Sequence, residues 1–438
     1  MKEQMINKAI QVLDNNFQEG GFTIPSKGLY PFQWKWDSGF IALGFAHYDI
    51  DKAKKEVETI LDAQWDNGFI PHIVFHNDSD TYFPGPDFHK SNLHPLSSKK
   101  YRSTGMTQPP VFGFILERLY EIADDKKDML GFINQQIDRV YDNHVYFYEN
   151  RDLNNDGLVY IYHNWESGTD NSPLWDDIWA TMNPPEYTFE RRDTSHVDAS
   201  QRPSKREYDH YLHIIEIAKE HNYDDAKIAE LSPFLVLDPL FNAVLIRSNE
   251  ALINLYQMLG GNQSKIDYLK QQQSKSISGL NSKLFNEELG AYVHYDLRNS
   301  TQIPYLCSSS FAPLYSSAPD EEKAKKLAKT MLEKFGDEGR YLCASFDPTH
   351  ERFNPKKYWR GPVWINMNWM LYHGLKRHGF YDLADRIKSD SLELIEKNGF
   401  FEYFDSRKSN PDATTNGYGG NNFSWSAALL IDFLKEDA

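Results

Sequence analysis

The sequence predicts an all-α fold in which pairs of helices follow one another around a single ring. Apolar residues recur with helical spacing along nearly all of the 438-residue chain, whereas strand-like stretches are short and isolated. No linker rich in Ser, Gly or Pro and no block of like charges divides the chain. One continuous helical toroid explains this pattern better than separate domains, so a single domain over residues 1–438 is expected.

Each predicted helix is a segment with an apolar stripe. The first carries Ile6, Ala9, Ile10 and Leu13 on one face. The predicted helices cover residues 1–17, 38–48, 52–64, 111–122, 129–141, 207–220, 240–259, 265–284, 321–335, 363–376, 381–397 and 424–434. The strand-like stretches cover residues 69–75, 158–162 and 290–297. Strands this short and this far apart predict local hairpins rather than a large sheet.

The charge balance argues against two classes of partner. The chain has 63 acidic and 47 basic residues and a net charge of -16, which repels phosphate backbones and anionic membrane surfaces. No apolar run approaches the roughly 18 to 20 residues of a membrane span, and the first helix lacks the apolar core of a signal peptide. We therefore expect a cytoplasmic protein with no nucleic-acid or membrane partner. Cys307 and Cys343 are too few for a disulfide framework and are expected to be buried free thiols.

Aromatic residues are abundant and unusually placed. They make up 14% of the chain and cluster beside Asp, Asn, Gln and Gly. This mixture is typical of a sugar-binding groove, because the C–H faces of sugars stack on rings while their hydroxyls need planar polar partners. Two such segments, at residues 30–37 and 358–366, stand beside predicted helix starts and are expected to converge at one mouth.

Two carboxylates occur in surroundings that favour acid–base chemistry. Asp170 lies in Trp-Glu-Ser-Gly-Thr-Asp-Asn-Ser-Pro, a loop bracketed by Gly and Pro, where it could instead cap a helix at residues 174–180. Glu402 lies in Gly-Phe-Phe-Glu-Tyr-Phe-Asp, where neighbouring rings would raise a carboxyl pKa. The alternative for Glu402 is a solvent-facing position on a short strand.

Other chemistries lack their usual residues. Asp152-x-Asn-x-Asp-Gly copies the start of a calcium loop, but its twelfth position is His163 instead of a bidentate Glu, which favours a tight turn. His72 and His76 are four apart but lie in a strand-like stretch, unlike a helical zinc pair. No phosphate-binding glycine motif and no Gly-x-Ser-x-Gly elbow occurs. The sequence therefore predicts no metal and no cofactor.

Four separated segments, at residues 30–37, 167–173, 358–366 and 401–425, resemble glycoside hydrolase family 63 in the same order. The resemblance implies an (α/α)6 barrel, or toroid, with short β hairpins and lid loops at the active-site mouth. The length and the lack of an added β domain are most similar to the bacterial hydrolases of mannosylglycerate and glucosylglycerate. Two departures concern substrate preference: Lys35 stands between two tryptophans where a smaller or apolar residue is expected, and the insert at 408–415 is long.

The resemblance also implies roles for individual residues. Asp170 matches the general acid and Glu402 the general base of an inverting glycosidase. The residues matching sugar ligands are Tyr30, Trp34, Trp36, Asp37, Gln108, Tyr358, Trp359, Arg360 and Trp364. Arg202 and Tyr208 match ligands of a glycerate carboxylate, and Tyr82 would join them from a lid loop. Without the resemblance, Arg202 would be read as a surface ion-pair partner and the Tyr82 loop as a stiff surface loop.

The expected function is hydrolysis of an α-glycosyl-glycerate, carrying mannose or glucose, to hexose and glycerate. Its partner would be a small-molecule sugar, and a homo-oligomer is left open. One alternative is an α-glucosidase or trehalase-like hydrolase of a neutral disaccharide. A second, from another class, is a toroid that binds sugar without cleaving it.

Overall fold

The computed structural model describes residues 2–410 and 415–436. The insert expected at 408–415 therefore lies partly outside the described residues. The described helices are α1 (Lys2–Asn16), α2 (Lys35–Ala46), α3 (Ile50–Leu61), α4 (Pro86–His89), α5 (Phe112–Ile122), α6 (Lys126–Asn150), α7 (Asp176–Ala180), α8 (Lys205–Glu220), α9 (Asp225–Leu231), α10 (Pro239–Met258), α11 (Gln263–Gly279), α12 (Glu321–Phe335), α13 (Ile365–Arg377), α14 (Tyr381–Asn398) and α15 (Ser424–Lys435).

An inner ring forms the centre of the molecule. Within the described residues, α2 packs against α5, α5 against α10, α10 against the 3-10 helix Ser308–Tyr315, that helix against α13, α13 against α15, and α15 against α2. The last contact closes the ring. Almost every residue of α2 is buried, as expected of a helix enclosed on all sides.

An outer helix precedes each inner element in the chain. Each outer helix packs against the inner element that comes before it in the chain, except that the first outer helix, α1, packs against the last inner helix, α15. The pairs are α1 with α15, α3 with α2, α6 with α5, α11 with α10, α12 with the 3-10 helix, and α14 with α13. These helices bury one stripe only, as α12 does with Ala324, Leu327 and Met331. The two rings share one connected apolar core and confirm the predicted all-α (α/α)6 toroid. The single-domain boundary at 1–438 stays a prediction.

The strands form small antiparallel sheets in the segments that connect the helices. They are β1 (Gln33–Trp34), β2 (Ile73–Phe75), β3 (Arg102–Ser103), β4 (Tyr160–Ile161), β5 (Val236–Leu237), β6 (Phe285–Asn286), β7 (Ala291–Tyr292), β8 (His294–Asp296), β9 (Thr301–Ile303), β10 (Phe401–Phe404) and β11 (Gly417–Asn421). The sheet orders are β1-β2-β3, β4-β5-β8-β9, β6-β7 and β10-β11. In the last hairpin Tyr403 pairs with Tyr418, and a register shift separates this pair from Phe401–Asn421.

Several boundaries differ from the sequence prediction for identifiable reasons. The helix predicted at 129–141 begins earlier, at Lys126, because Asp125 caps its start by accepting from the N–H groups of Lys127 and Asp128, and it continues to Asn150. The helix predicted at 265–284 ends its regular α-helical part at Gly279 and continues as a π turn, Leu280–Leu284. The predicted strand 69–75 is a strand only over Ile73–Phe75.

Both cysteines, Cys307 and Cys343, are buried and free, as predicted. In the described part of the chain, no helix combines the length and apolar character needed to cross a bilayer.

Candidate active site

A pocket opens where several inner helices begin. The segment before α2, the segment before α13 and the segment before α15 all reach it, joined by the loop after β4 and by strand β10. The structure therefore brings together, at one pocket, the two aromatic segments that were predicted to converge. The predicted residues that line it are Tyr30, Trp34, Trp36, Asp37, Tyr82, Gln108, Asp170, Arg202, Tyr208, Tyr358, Trp359, Trp364 and Glu402.

The loop that carries Asp170 is held by its own polar residues. The Asn164 amide donates to the Asp170 carbonyl oxygen over 2.7 Å, and Ser167 accepts from the Thr169 N–H over 2.9 Å. Gly168 has φ +74°, and a Cβ there would lie 2.5 Å from the Trp36 ring. Glycine at this position thus allows both the turn and the close approach to the ring. Asp170 itself does not cap the following helix, whose first turn is preceded by Ser172.

Glu402 is buried on β10, not directed to solvent. Its side chain is 2% exposed. Oε1 accepts from the Tyr30 hydroxyl over 2.7 Å, and Oε2 accepts from the Gly420 N–H over 3.0 Å. Gly419, in the left-handed region at φ +71°, leaves room for this carboxylate, since a Cβ there would lie 2.3 Å from Oε2. The glycines of β11 therefore form one wall of the carboxylate's site.

Two phenols connect the two carboxylates. The Tyr358 hydroxyl donates to Asp170 Oδ2 over 3.2 Å, and it lies 3.5 Å from the Tyr30 hydroxyl, which donates to Glu402. Tyr358 has a positive φ of 44°, a backbone conformation that non-glycine residues rarely adopt. Such strain is concentrated at functional sites.

Burial and charge set the protonation of the carboxyls. Burial raises the pKa of Asp170 to about 7, against the opposing effect of the Arg202 guanidinium. Burial also raises the pKa of Glu402, while Arg202, the Gly420 N–H and the Tyr30 hydroxyl act to lower it. The pKa of Asp37 is raised well above its ordinary value by burial and by the nearby Glu402. The pocket thus favours a mixture of protonated and ionised carboxyls near neutral pH.

Arg202 is the one Lys or Arg side chain among the described residues lining the pocket. It is 5% exposed, so it is not a surface ion-pair partner. Its Nη1 donates to the Tyr30 hydroxyl over 3.0 Å and lies 3.7 Å from Glu402 Oε1, and its guanidinium lies over the Tyr358 ring at 4.2 Å. Tyr208 follows on α8, whose start is fixed by a capping box between Ser204 and Glu207.

Stacked rings form the other walls. Trp359 and Trp364 are parallel within 5°, with ring centroids 3.7 Å apart, and Trp364 stacks on Tyr403 at 4.7 Å. Tyr82 contacts Trp34 edge-on at 5.3 Å, so the loop that carries it reaches the pocket. These rings leave little conformational freedom in the walls and present flat apolar faces.

Lys35 lies beneath the pocket, not in it. It is fully buried, and its Nζ donates to the Thr107 hydroxyl over 2.8 Å and to the Gln108 carbonyl over 3.0 Å. The Gln108 side chain in turn accepts from the Trp36 N–H over 3.2 Å. The unexpected lysine thus supports the segment that carries Gln108. Burial lowers the pKa of Lys35 well below its usual value.

Arg360, predicted as a sugar ligand, lies behind the pocket wall instead. Its guanidinium binds both oxygens of Asp176, over 2.8 and 2.6 Å, and donates to the Asn171 carbonyl over 3.3 Å. The Asn171 side chain accepts from the Trp359 N–H. Arg360 therefore holds the Asp170 loop against the segment at 358–364.

Sequence reasoning missed part of the lining. Phe423 and Trp425 follow the Gly-Gly-Asn-Asn run of the last resembling segment. That segment could have identified them as lining residues. Asp193 follows Glu-Arg-Arg, and nothing in this local cluster of charges indicates that Asp193 lies close to Arg202 in the fold. The lining residues not predicted are Pro25, Leu29, His72, Phe83, Trp165, Gly168, Asp193, Phe423 and Trp425.

The residues considered as metal ligands have other partners. Asp152 accepts from the Asp156 and Gly157 N–H groups, which makes the tight turn that the sequence favoured, and Lys283 pairs with Asp156 over 2.8 Å. His72 is 2.6 Å from the Thr104 hydroxyl. Among the described residues, no group of three His, Cys, Asp or Glu side chains could hold a metal ion.

Comparisons with known proteins agree on one family. A family model described as a mannosylglycerate hydrolase MGH1-like glycoside hydrolase domain matches residues 30–426. The chain is 38% identical to a mannosylglycerate hydrolase of Rubrobacter radiotolerans over 99% of this chain and 97% of that protein. It is 31% identical to a glucosylglycerate hydrolase of Mycolicibacterium hassiacum over 98% of each.

A solved structure extends the likeness to three dimensions. The family 63 mannosylglycerate hydrolase of Thermus thermophilus, crystallised with Tris and D-glycerate, is 40% identical to the chain. The two superpose with a TM-score of 0.89 over 98% of this chain and 99% of that one.

Proposed function

Because the chain belongs to the mannosylglycerate hydrolase MGH1-like glycoside hydrolases and is a glycosidase, we propose that it hydrolyses an α-glycosyl-glycerate to hexose and glycerate. The reaction inverts the configuration at the anomeric carbon. The hexose is mannose, glucose or both, since the named relatives act on one or the other. One observation carries the proposal: the pocket that contains Asp170 and Glu402 also contains the Arg202 guanidinium, a planar donor suited to a carboxylate.

Asp170 acts as the general acid. Because its pKa is raised to about 7, a substantial fraction of the molecules carries the proton at neutral pH, and Asp170 donates it to the glycosidic oxygen as the bond from that oxygen to the anomeric carbon breaks. Glu402 acts as the general base. It takes a proton from a water molecule, whose oxygen bonds to the anomeric carbon on the opposite face of the sugar. The products are glycerate and a hexose of inverted configuration.

The remaining lining residues bind and orient the substrate. Stacked rings, with Asp37 and Gln108 as polar partners for hydroxyls, form the sugar subsite. Arg202 and Tyr208 bind the glycerate carboxylate, and Tyr82 covers it. A cytoplasmic location accords with the two free cysteines.

A matched substrate panel tests the proposal. α-Mannosylglycerate and α-glucosylglycerate are compared with trehalose, kojibiose and the uncharged α-glycosyl-glycerols, in which a hydroxymethyl group replaces the carboxylate. We expect the glycerates to have the highest kcat/KM, and proton NMR to detect the β-hexose first. Preferred cleavage of a neutral disaccharide would replace the glycerate assignment, and α-hexose as the first product would reject inversion. Binding of sugar without release of hexose would reject catalysis.

A further inference from the structure

Asp193 lines the pocket but has no part in the proposed chemistry. It lies in the segment between α7 and α8, which also carries Arg191 and Arg202. Its side chain is 12% exposed and accepts three hydrogen bonds. Arg191 donates from Nε to Oδ1 over 2.8 Å and from Nη2 to Oδ2 over 2.7 Å, and Arg202 donates from Nε to Oδ2 over 3.3 Å.

These contacts fix the direction of the Arg202 guanidinium. Asp193 takes the Nε edge, and Tyr30 takes Nη1 over 3.0 Å. The flat face rests on the Tyr358 ring at 4.2 Å. A guanidinium presents its donors in one rigid plane, so holding Nε at Asp193 points the Nη edge towards Tyr30 and Glu402.

The charges explain why a second arginine is present. Asp193 alone would cancel the charge of Arg202 and repel an incoming carboxylate. The fork-shaped pairing with Arg191 neutralises Asp193, so the group of three retains one net positive charge. Arg191 is held in turn by the Tyr208 ring, which lies 4.3 Å from its guanidinium carbon.

We propose that Asp193 and Arg191 are positioning residues that make the pocket selective for a negatively charged aglycone. Asp193 holds the Nε edge of Arg202, so that the Nη edge stays in the pocket that receives the ligand carboxylate. Arg191 keeps Asp193 from competing with that ligand. The inference rests on the proposed function, because it supposes that Arg202 binds the glycerate carboxylate.

The first test is Asp193→Asn with paired substrates. α-Mannosylglycerate is compared with α-mannosylglycerol, and the glucosyl pair is used in the same way. Loss of a hydrogen bond to a charged group lowers kcat/KM for the glycerate about tenfold, mainly through KM. We expect kcat/KM for the uncharged glycerol analogue to change less than about threefold.

The second test removes the other member of the pair. Arg191→Gln leaves the charge of Asp193 facing Arg202, so KM for the glycerate also rises. In the double variant the unpaired carboxylate is gone, so we expect its loss to be smaller than the product of the two single losses. Glu190→Gln is the matched control, because Glu190 forms an exposed pair with Arg192 in the same segment.

The outcomes separate this inference from the proposed function. If the wild-type enzyme cleaves the glycerates but Asp193→Asn affects both members of a substrate pair equally, or neither, the positioning role is wrong and the proposed function stands. Fully multiplicative losses in the double variant would also overturn it. If the wild-type enzyme does not prefer the glycerates to their glycerol analogues, both conclusions fall.

Discussion

Asp170 and Glu402 share one pocket, yet the proposed mechanism needs them in opposite protonation states. Burial acts on both, but Glu402 also accepts from Tyr30 and from the Gly420 N–H, two donors that stabilise its ionised form. Asp170 receives a longer hydrogen bond from Tyr358, over 3.2 Å, and its own backbone N–H makes a smaller contribution. The difference in hydrogen bonding separates the acid from the base.

The pH dependence of activity follows from this difference. The protonated form of Asp170 predominates below its pKa of about 7 and is lost as the pH rises through that value. We therefore expect kcat/KM to fall above about pH 7 and to fall again at acidic pH as Glu402 takes up a proton. Rates measured between about pH 4 and 9 check this. A profile with no fall on the alkaline side, or full activity in Asp170→Asn, would contradict the assignment.

Tyr30→Phe should shift the acidic limb of the pH profile and leave the position of the alkaline limb unchanged. The hydroxyl stabilises ionised Glu402, so its removal raises the pKa of that carboxyl and shifts the acidic limb of kcat/KM to higher pH. We expect a drop of about tenfold at neutral pH, the cost of one hydrogen bond to a charged group. Tyr381→Phe is the control, because Tyr381 is 60% exposed on the surface. An unshifted acidic limb would show that Tyr30 does not act on the base.

For individual residues, the sequence indicated which residues belong to the site better than it indicated the direction in which their side chains point. The resembling segments located Asp170 and Glu402, and residues of fixed type such as Trp36 line the pocket as expected. Arg360 was predicted to face the sugar but pairs with Asp176, and Asp193 was not singled out at all. An arginine or aspartate can face a ligand or another side chain, and only the packing of distant segments decides which.

Among the secondary-structure elements, the β10–β11 hairpin is the part most directly tied to the base. Gly419→Ala would place a Cβ 2.3 Å from Glu402 Oε2, in addition to straining a backbone at φ +71°. We expect loss of about 1 kcal/mol of stability from the backbone and a fall of at least about a hundredfold in kcat from displacement of the carboxylate. Thermal unfolding and steady-state rates measure the two effects.

Gly379→Ala separates the two causes. Gly379 has a similar φ of +80°, but a Cβ there would meet nothing within 4 Å. It should keep its activity and lose less stability than Gly419→Ala, whose Cβ would also lie 2.5 Å from the buried Tyr403 ring. Equal losses of activity in both variants would show that backbone strain, not contact with Glu402, explains the effect at Gly419.

The element that the sequence did not reveal is the inner segment Ser308–Tyr315. Helical spacing predicted its neighbours on both sides, but this piece has only eight residues, three of them Ser and one Pro. All eight are buried, so no polar face marks it. Its place in the ring follows from packing against α10 and α13, which local periodicity does not encode.

At the scale of the whole molecule, the chain must close its ring by bringing α15 back to α2. Asp432 of α15 provides a polar joint away from the pocket. Its Oδ1 lies 2.8 Å from Nε2 of His47, the residue that follows α2. The same oxygen accepts from Arg118 of α5 over 3.2 Å. Oδ2 accepts from the Trp369 indole of α13 over 2.8 Å. One buried carboxylate thus joins four elements of the inner ring.

Asp432→Asn should therefore weaken the fold without altering the chemistry. Its partners hold the pKa of Asp432 below the usual value, so its contribution to stability is present above about pH 4 and is lost as the pH falls further. At neutral pH we expect the variant to lose about 2 kcal/mol in free energy of unfolding, because Arg118 is left with its pair to the exposed Glu121 and the hydrogen bonds to a charged carboxylate are weakened. Urea unfolding at several pH values measures this, and the difference in free energy of unfolding from wild type should narrow at acidic pH.

Asp385→Asn, at an exposed position on α14, is the control. A gap of the same size at every pH would mean that the charge of Asp432 does not secure the closure, and a changed KM in the variant would mean that this joint and the pocket are coupled.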